Sequence, residues 1–195
     1  LALAIGVVGH LLFEGLAAAL RVGALTFSPS EDAARRALVD AGAVDDPDQD
    51  VTVEGTAGRL VRWFATAPTR EHVRFLFAAS HRESVQEFSL SAVDPATGLA
   101  TGLRVDHSFV TEEGERWIVD YKFAEPADLD TADPQAIDAW VSHQCELYAP
   151  QLDAYRRVFA ARDRCESCVA KPDGAAPRIV TALYFPWLDR LQRCE

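Results

Sequence analysis

The stretches Leu103-Arg-Val-Asp106 and Trp117-Ile-Val-Asp120-Tyr-Lys122 decide the fold of this chain. Each is a run rich in apolar and β-branched residues that reaches an aspartate, which is typical of a strand. The polar segment Thr111-Glu-Glu-Gly114-Glu between them contains a glycine and predicts a hairpin turn. If the strands pair, the two aspartates approach each other across the ladder. Because side chains alternate along a strand, the lysine should share a face with the second aspartate.

Asp106, Asp120 and Lys122 therefore predict a metal-dependent hydrolase site. Two carboxylates that converge beside an ammonium group are costly to assemble unless a divalent cation neutralises them. The alternative is that both aspartates are strand-end carboxylates facing solvent and that Lys122 is a surface salt-bridge partner.

The composition is that of a globular protein with an acidic surface. The chain has 195 residues, of which 49% are hydrophobic and 25% charged, enough for one domain with a proper core. Its formal net charge is −11, so it gains little from diffuse attraction to phosphate backbones. A nucleic-acid substrate would need a local basic groove, or delivery by another part of a larger protein. A salt-adapted source would also explain the acidity. Because methionine is absent, we interpret the sequence as a fragment of a longer chain.

The opening run from Leu1 to Phe27 is strongly apolar, yet it contains His10, Glu14 and Arg21 and has no basic segment before it. These polar residues favour a buried amphipathic helix over a signal or membrane segment. We accordingly expect no membrane association and a cytoplasmic location.

The remaining patterns predict an α/β fold in which a helical insertion over 24–80 separates the first helix from the sheet. The expected helices cover 2–21, from Ser30 to about Asp40, 55–66, 69–79, and a long run from Pro134 that Pro150 should kink or break. Four strands are expected. The first begins near Val85, and the others cover 99–110, 116–123 and Ile179–Phe185. A turn at 94–98, an acidic loop at 44–50 and loops at 124–134 and 164–177 connect them.

The cysteines give a weak signal. Cys165 and Cys168 have the spacing of metal ligands, but zinc or an iron–sulfur cluster would require Cys145 and Cys194 to fold back onto that pair. Reduced structural thiols in a cytoplasmic protein are the favoured interpretation. A zinc-stabilised interaction domain built on Cys165 and Cys168 is a weaker alternative.

Four motifs in order resemble the RecB/AddA-type nuclease domain of the PD-(D/E)XK superfamily. They are Gly6-Val-Val-Gly-His10, Arg104-Val-Asp106, Val119-Asp120-Tyr-Lys122 and Gln151-Leu-Asp-Ala-Tyr155. The strand Thr181-Ala-Leu-Tyr-Phe185 is also similar to the closing strand of those domains, which form the C-terminal module of UvrD-like helicase–nucleases. The resemblance spans nearly the whole chain and implies a restriction-endonuclease-like central mixed sheet flanked by helices, as a single nuclease domain over 1–195.

The resemblance also implies a function: Mg²⁺- or Mn²⁺-dependent hydrolysis of DNA phosphodiester bonds during end processing and recombinational repair, with helicase domains as partners. It implies that His10, Asp106, Asp120 and the Tyr121 carbonyl bind the metal. Lys122 would orient or deprotonate the attacking water, and Gln151 and Tyr155 would hold the site or the DNA strand.

Several of these residues also have structural interpretations. His10 on an apolar helix is compatible with a hydrogen-bonded core histidine, and Gln151 with Tyr155 fits the polar face of a helix. Glu83 and Glu87 flank the first strand, where one of them would help the metal site or both would be solvated. Glu14, one turn after His10, is interpreted as an ordinary polar pair. A catalytically inactive nuclease-like module that binds DNA or a partner protein is the alternative function.

Overall fold

The computed structural model describes residues 1–46, 51–93, 98–126, 133–170 and 178–194. Most of the turn predicted at 94–98, and parts of the three predicted loops, lie outside these ranges. The chain forms two compact units. The first comprises Leu1–Ala79, Tyr121–Ala124 and Pro186–Asp189; the second comprises Ser80–Asp120, Glu125–Phe185 and Arg190–Glu195.

The first unit is helical, and three of its helices lie in the chain between the first helix and the sheet. Its helices are α1 (Ala2–Arg21), α2 (Glu31–Asp40), α3 (Val53–Thr66) and α4 (Glu71–Leu76), with a 3-10 turn at Ala67–Thr69 before the last. Ser30 and Thr52 cap α2 and α3, because their side-chain oxygens accept hydrogen bonds from the backbone N–H groups of Ala33 and Gly55.

An aromatic cluster forms the core of the first unit. The Phe13 ring of α1 lies 4.9 Å from that of Phe64 and 4.2 Å from that of Tyr121, between centroids. Leu16 is also fully buried. The helix prediction for α1 is confirmed, but the predicted apolar stripe is only partly buried, since Val7 and Leu11 are exposed. By length and composition α1 would also suffice to cross a membrane, so its assignment to a protein core rests on this packing.

The second unit contains a five-stranded mixed open sheet, which confirms the α/β class. The strands are β1 (Arg82–Val93), β2 (Ala100–Val110), β3 (Arg116–Tyr121), β4 (Ile179–Phe185) and β5 (Arg190–Cys194), in the order β1-β2-β3-β4-β5. The predicted hairpin is present, since β2 pairs with β3 in antiparallel fashion, and β1 pairs with β2 in the same way. Tyr121, the last residue of β3, belongs to the first unit.

The long helix α5 (Pro134–Ala170) connects β3 to β4 and packs on β4 and β5. Pro150 does not end this helix, so the prediction of a break there is wrong. The loop predicted from residue 164 is also wrong, because the helix continues to Ala170. A proline removes one helical hydrogen bond, but Leu152, Tyr155 and Phe159 beyond it are buried, and this tertiary packing outweighs the loss.

Two strand predictions are corrected. β5 was missed, because Arg190-Leu-Gln-Arg-Cys194 is short and mostly polar; antiparallel pairing with β4 makes it a strand. β3 ends at Tyr121, so Lys122 follows the strand instead of lying within it. The face assigned to Lys122 from strand alternation therefore loses its basis.

A buried ion pair fixes the start of β3. The side chains of Arg116 and Asp163 are 2% and 3% exposed, and Arg116 Nε donates to Asp163 Oδ2 at 2.6 Å. Arg116 also donates to Glu83, a residue with a left-handed φ of 52° at the β1 bulge. Burial alone would lower the pKa of Arg116, but the hydrogen bonds to Asp163 and Glu83 raise it above its ordinary value. The guanidinium therefore stays charged inside the sheet.

A disulfide joins Cys145 on α5 to Cys194 on β5, with their Cα atoms 5.4 Å apart. The expectation of reduced thiols is therefore wrong for these two cysteines. This pairing could not be predicted from the sequence, because 49 positions separate the two cysteines. The packing of β5 against α5 brings them together. The side chains of Cys165 and Cys168 lie outside the described part of the structure.

Candidate metal centre

Three acidic residues occupy matching positions on three neighbouring strands of the second unit. In the β1–β2 ladder Gln86 pairs with His107 and Phe88 with Val105, so Glu87 lies opposite Asp106. In the β2–β3 ladder His107 pairs with Val119, and continuing this register by one residue sets Asp106 opposite Asp120. Cross-strand neighbours share a face of the sheet. We call Glu87, Asp106 and Asp120 the carboxylate row.

The carboxylate row is buried. Asp106 and Asp120 are 7% and 2% exposed, and the Glu87 side chain is 8% exposed. Acidic side chains are almost never this buried unless they are paired or bind a cation. The interpretation of Asp106 and Asp120 as strand-end carboxylates facing solvent is therefore wrong.

Glu87 departs from the regular strand. Its φ is 46°, in the left-handed region that non-glycine residues rarely adopt, and holding it there costs about 1–3 kcal/mol. Its carboxylate accepts a hydrogen bond from Arg104 Nε at 2.6 Å. Strained backbone of this kind is concentrated at functional sites. Glu83 and Glu87, which were expected to flank the first strand, both lie within β1. Glu87 belongs to the carboxylate row, whereas Glu83 binds Arg116.

Gln151 and Tyr155 reach the row from α5. Gln151 Nε2 donates to Asp120 Oδ1 at 3.2 Å and to the Tyr155 hydroxyl oxygen at 2.6 Å. The Tyr155 hydroxyl in turn donates to the Arg104 carbonyl at 2.8 Å. The helical spacing that placed both residues on one face is confirmed, and that face is directed at Asp120 instead of solvent. This chain of hydrogen bonds orients the Asp120 carboxylate from behind.

The electrostatics of Tyr155 report the negative charge of the site. Burial raises the pKa of its hydroxyl above the ordinary value, and the charges of Asp120, Asp106 and Glu87 raise it further. The Tyr155 hydroxyl therefore keeps its proton at neutral pH and acts as a hydrogen-bond donor. The charges of all three members of the carboxylate row thus act on one hydroxyl group.

The other predicted site residues belong to the first unit. His10, half-buried on α1, packs its ring edge-on against Tyr121 at a centroid distance of 5.9 Å and lies 6.5 Å from the Phe123 ring. Tyr121 is buried and directly follows Asp120 in the chain, and Lys122 comes next and is half-buried. Within the first unit, packing of α1 on Tyr121 and Phe123 thus holds the His10 ring beside Tyr121.

Among the described residues of the second unit, Glu87 and Asp106 have carboxylates that could both contact one metal ion. Within the second unit, one carboxylate oxygen of Glu87 and one of Asp106 lie within 4.8 Å of each other. Oxygen ligands from several carboxylates suit hard divalent cations. The sequence left the role of Glu87 open and missed Arg104 as its partner, because both depend on the β1–β2 register.

Comparisons with known proteins add no assignment. No protein-family model matches the chain, and no curated protein matches it.

Proposed function

We propose that this chain is a metal-dependent DNA nuclease domain of the RecB/AddA type with a restriction-endonuclease-like fold. The observation that carries the proposal is the carboxylate row with Gln151 and Tyr155 hydrogen-bonded behind it. The motif residues on β2, β3 and α5 are Asp106, Asp120, Gln151 and Tyr155, and their pairing and hydrogen bonds support one buried acidic centre. Asp106 lies 14 positions before Asp120, and Asp120 lies 31 positions before Gln151, so folding is needed to bring them close.

The centre suits Mg²⁺ or Mn²⁺. Asp106, Asp120 and Glu87 offer only oxygen ligands, and we propose that His10 and the Tyr121 carbonyl complete the set. One imidazole tilts the preference towards Mn²⁺ while leaving Mg²⁺ acceptable. A divalent cation held there supplies Lewis-acid activation of water and stabilises negative charge at the phosphorus.

The remaining residues position the reactants. Lys122 takes or orients the proton of the attacking water and offsets charge on the scissile phosphate. Gln151 holds the Asp120 carboxylate through its Nε2 donor, and Tyr155 fixes Gln151 while remaining protonated. Phosphodiester cleavage needs these functions together: an activated water, charge neutralisation and fixed geometry.

The resemblance gives the biological setting that we propose. The domain would act on DNA ends together with helicase domains of the same or an associated chain, in the cytoplasm, during recombinational repair. The net charge of −11 is consistent with a domain to which DNA is brought by its partners.

The experiment that tests the function is cleavage of linear DNA with Mg²⁺ or Mn²⁺ by wild type, Asp120→Asn and Lys122→Ala. Both variants should cut at least about 100-fold more slowly, because each loses a group that acts on the reacting water or the metal. Asp138→Asn, which alters an exposed carboxylate on α5, is the matched control and should cut like wild type. Equal cleavage by wild type and Asp120→Asn would show that the site is assigned wrongly.

One observation favours the alternative of a catalytically inactive module that binds DNA or a protein. Glu87 is already neutralised by Arg104 at 2.6 Å, so part of the row has a cation without any metal. Calorimetric titration with Mn²⁺ separates the two functions. Binding that Asp106→Asn weakens supports the nuclease, whereas no heat of binding at millimolar Mn²⁺ supports the inactive module.

A further inference from the structure

A cavity lies in the second unit, beside the β4–β5 edge of the sheet. Its volume is about 220 Å³, and its lining includes Arg156, Arg178, Arg193 and Thr181. Three arginines thus line one cavity in a chain with a formal net charge of −11. We call this cavity the arginine pocket.

Contacts within the second unit orient two of the three arginines, Arg156 and Arg193. Arg156 donates to Thr181 Oγ1 at 2.7 Å and to the Cys194 carbonyl at 3.2 Å. The Arg193 guanidinium lies 4.6 Å from the centroid of the Trp117 ring, a cation–π contact. The planar donors of arginine match the oxygens of phosphate groups, and fixing them beforehand lowers the entropic cost of binding.

The carboxylates at the pocket do not cancel its charge. Glu115 is shared by Arg178 and Arg193, at 3.5 and 3.6 Å, and Asp153 pairs with Arg156 at 3.1 Å. The two Glu115 distances are too long for strong hydrogen bonds. An anion that contacts the guanidinium groups directly, at about 2.8 Å, would therefore compete well with Glu115.

The size of the pocket limits the ligand. Pockets for drug-sized molecules have volumes of roughly 300–1,000 Å³. A cavity of about 220 Å³ suits a single charged group better than a whole nucleotide.

We propose that the arginine pocket binds one phosphate group of a DNA strand. The choice of DNA rests on the proposed function, whereas the phosphate chemistry rests on the three arginines alone. Arg156 directly follows Tyr155 on α5, so the helix that orients the carboxylate row also supplies an arginine to the pocket. The pocket provides the local basic surface that an acidic domain needs to hold a nucleic-acid backbone.

The test is binding of a short single-stranded oligodeoxynucleotide in EDTA, where no cleavage occurs, followed by fluorescence anisotropy over a range of salt concentrations. Arg178→Gln/Arg193→Gln should weaken binding about tenfold and make the slope of log K against log salt shallower by about 0.7, the value for one phosphate contact on a single strand. Glu115→Gln should tighten binding about two- to fivefold, because it removes the competing carboxylate.

The control is Arg35→Gln/Arg36→Gln, which removes the same two charges from exposed positions on α2 and should leave affinity and slope unchanged. Thermal unfolding of each variant verifies that it folds. The opposite sign expected for Glu115→Gln separates anion binding from a purely structural role, which would not tighten binding.

Each outcome decides a different part of the proposal. Unchanged affinity and slope in both pocket variants would overturn it. If the double variant loses only the binding of inorganic phosphate, measured by calorimetry, the pocket takes a free anion and the DNA assignment fails. If the double variant weakens oligonucleotide binding while wild type never cuts DNA, the phosphate pocket stands and the nuclease function fails.

Discussion

Gln151 donates a hydrogen bond to Asp120 across 3.2 Å, from a helix to the end of a neighbouring strand. The same amide nitrogen also donates to Tyr155. Because the amide has no charge, it orients the Asp120 carboxylate without neutralising it. The geometry of Asp120 is therefore set before any cation binds.

Gln151→Leu should therefore weaken Mn²⁺ binding by about 10- to 100-fold, since partners that orient a metal ligand have effects of this size. The measurement is calorimetric titration with Mn²⁺. Gln135→Leu, at an exposed position near the start of α5, removes a comparable amide and should bind Mn²⁺ like wild type. Equal Mn²⁺ affinities for all three proteins would show that Gln151 does not orient Asp120 for metal binding.

The stability that Tyr155 contributes should decrease at high pH. The folded protein raises the pKa of Tyr155 above its ordinary value of 10.0, first by burial and then by the nearby carboxylates. Below pH 10 the hydroxyl is protonated in both folded and unfolded chains, and its full contribution is present. As the pH rises further, the unfolded chain ionises first, so folding loses that contribution.

Urea unfolding of wild type and Tyr155→Phe tests this at several pH values from about 9 to about 11. At the lower pH wild type should be more stable by about 1–2 kcal/mol, because the phenylalanine leaves hydrogen-bonding groups of Gln151 and Arg104 without the hydroxyl. The difference should narrow as the pH increases. A constant difference across this range would contradict a raised Tyr155 pKa.

Two glycines on α1 should respond oppositely to alanine. A Cβ atom at Gly9 would lie 2.1 Å from the Phe123 ring, which is too close without a shift of that buried side chain, whereas Gly6 has nothing within 4 Å of that position. Gly9→Ala should lower the free energy of unfolding by about 1–3 kcal/mol. Gly6→Ala should raise it by about 0.5–1 kcal/mol, because alanine favours helix. Urea unfolding measures both, and a gain in stability for Gly9→Ala would contradict this packing of α1.

Reduction should destabilise the protein through the Cys145–Cys194 disulfide. The bond closes a loop across 49 positions, and losing it should lower the free energy of unfolding by about 2–4 kcal/mol. The measurement is urea unfolding with and without a reductant, using Cys145→Ser as the control. The reductant should not destabilise Cys145→Ser further; if it does, another bond is responsible.

Much of the fold could be predicted because periodicity and capping are local signals. Ser30 before Glu31-Asp32 marks the start of α2, and the apolar run Ile179–Phe185 matches β4 in both bounds. The continuation of α5 past Pro150 and the formation of β5 depend on partners distant in sequence. Tertiary packing decided those segments against their local preferences.

The candidate site divides in the same way. Motif spacing predicted that Gln151 and Tyr155 share a helix face, and the polar turn predicted that Asp106 approaches Asp120. Glu87 could not be ranked above Glu83 from sequence, because a bulge between Arg82 and Val85 sets which glutamate meets Asp106. A single inserted position changes the partner of each β1 residue on β2.

The buried pair of Arg116 and Asp163 couples the assembly of the sheet to that of the long helix. Arginine stays protonated, so burial of Arg116 on β3 requires Asp163, 47 positions later in the chain, to pack beside it. During synthesis the hairpin of β2 and β3 would therefore reach its stable, buried form only after α5 has been made. Folding of the second unit should then be a single late cooperative event, completed only after Asp163 has left the ribosome.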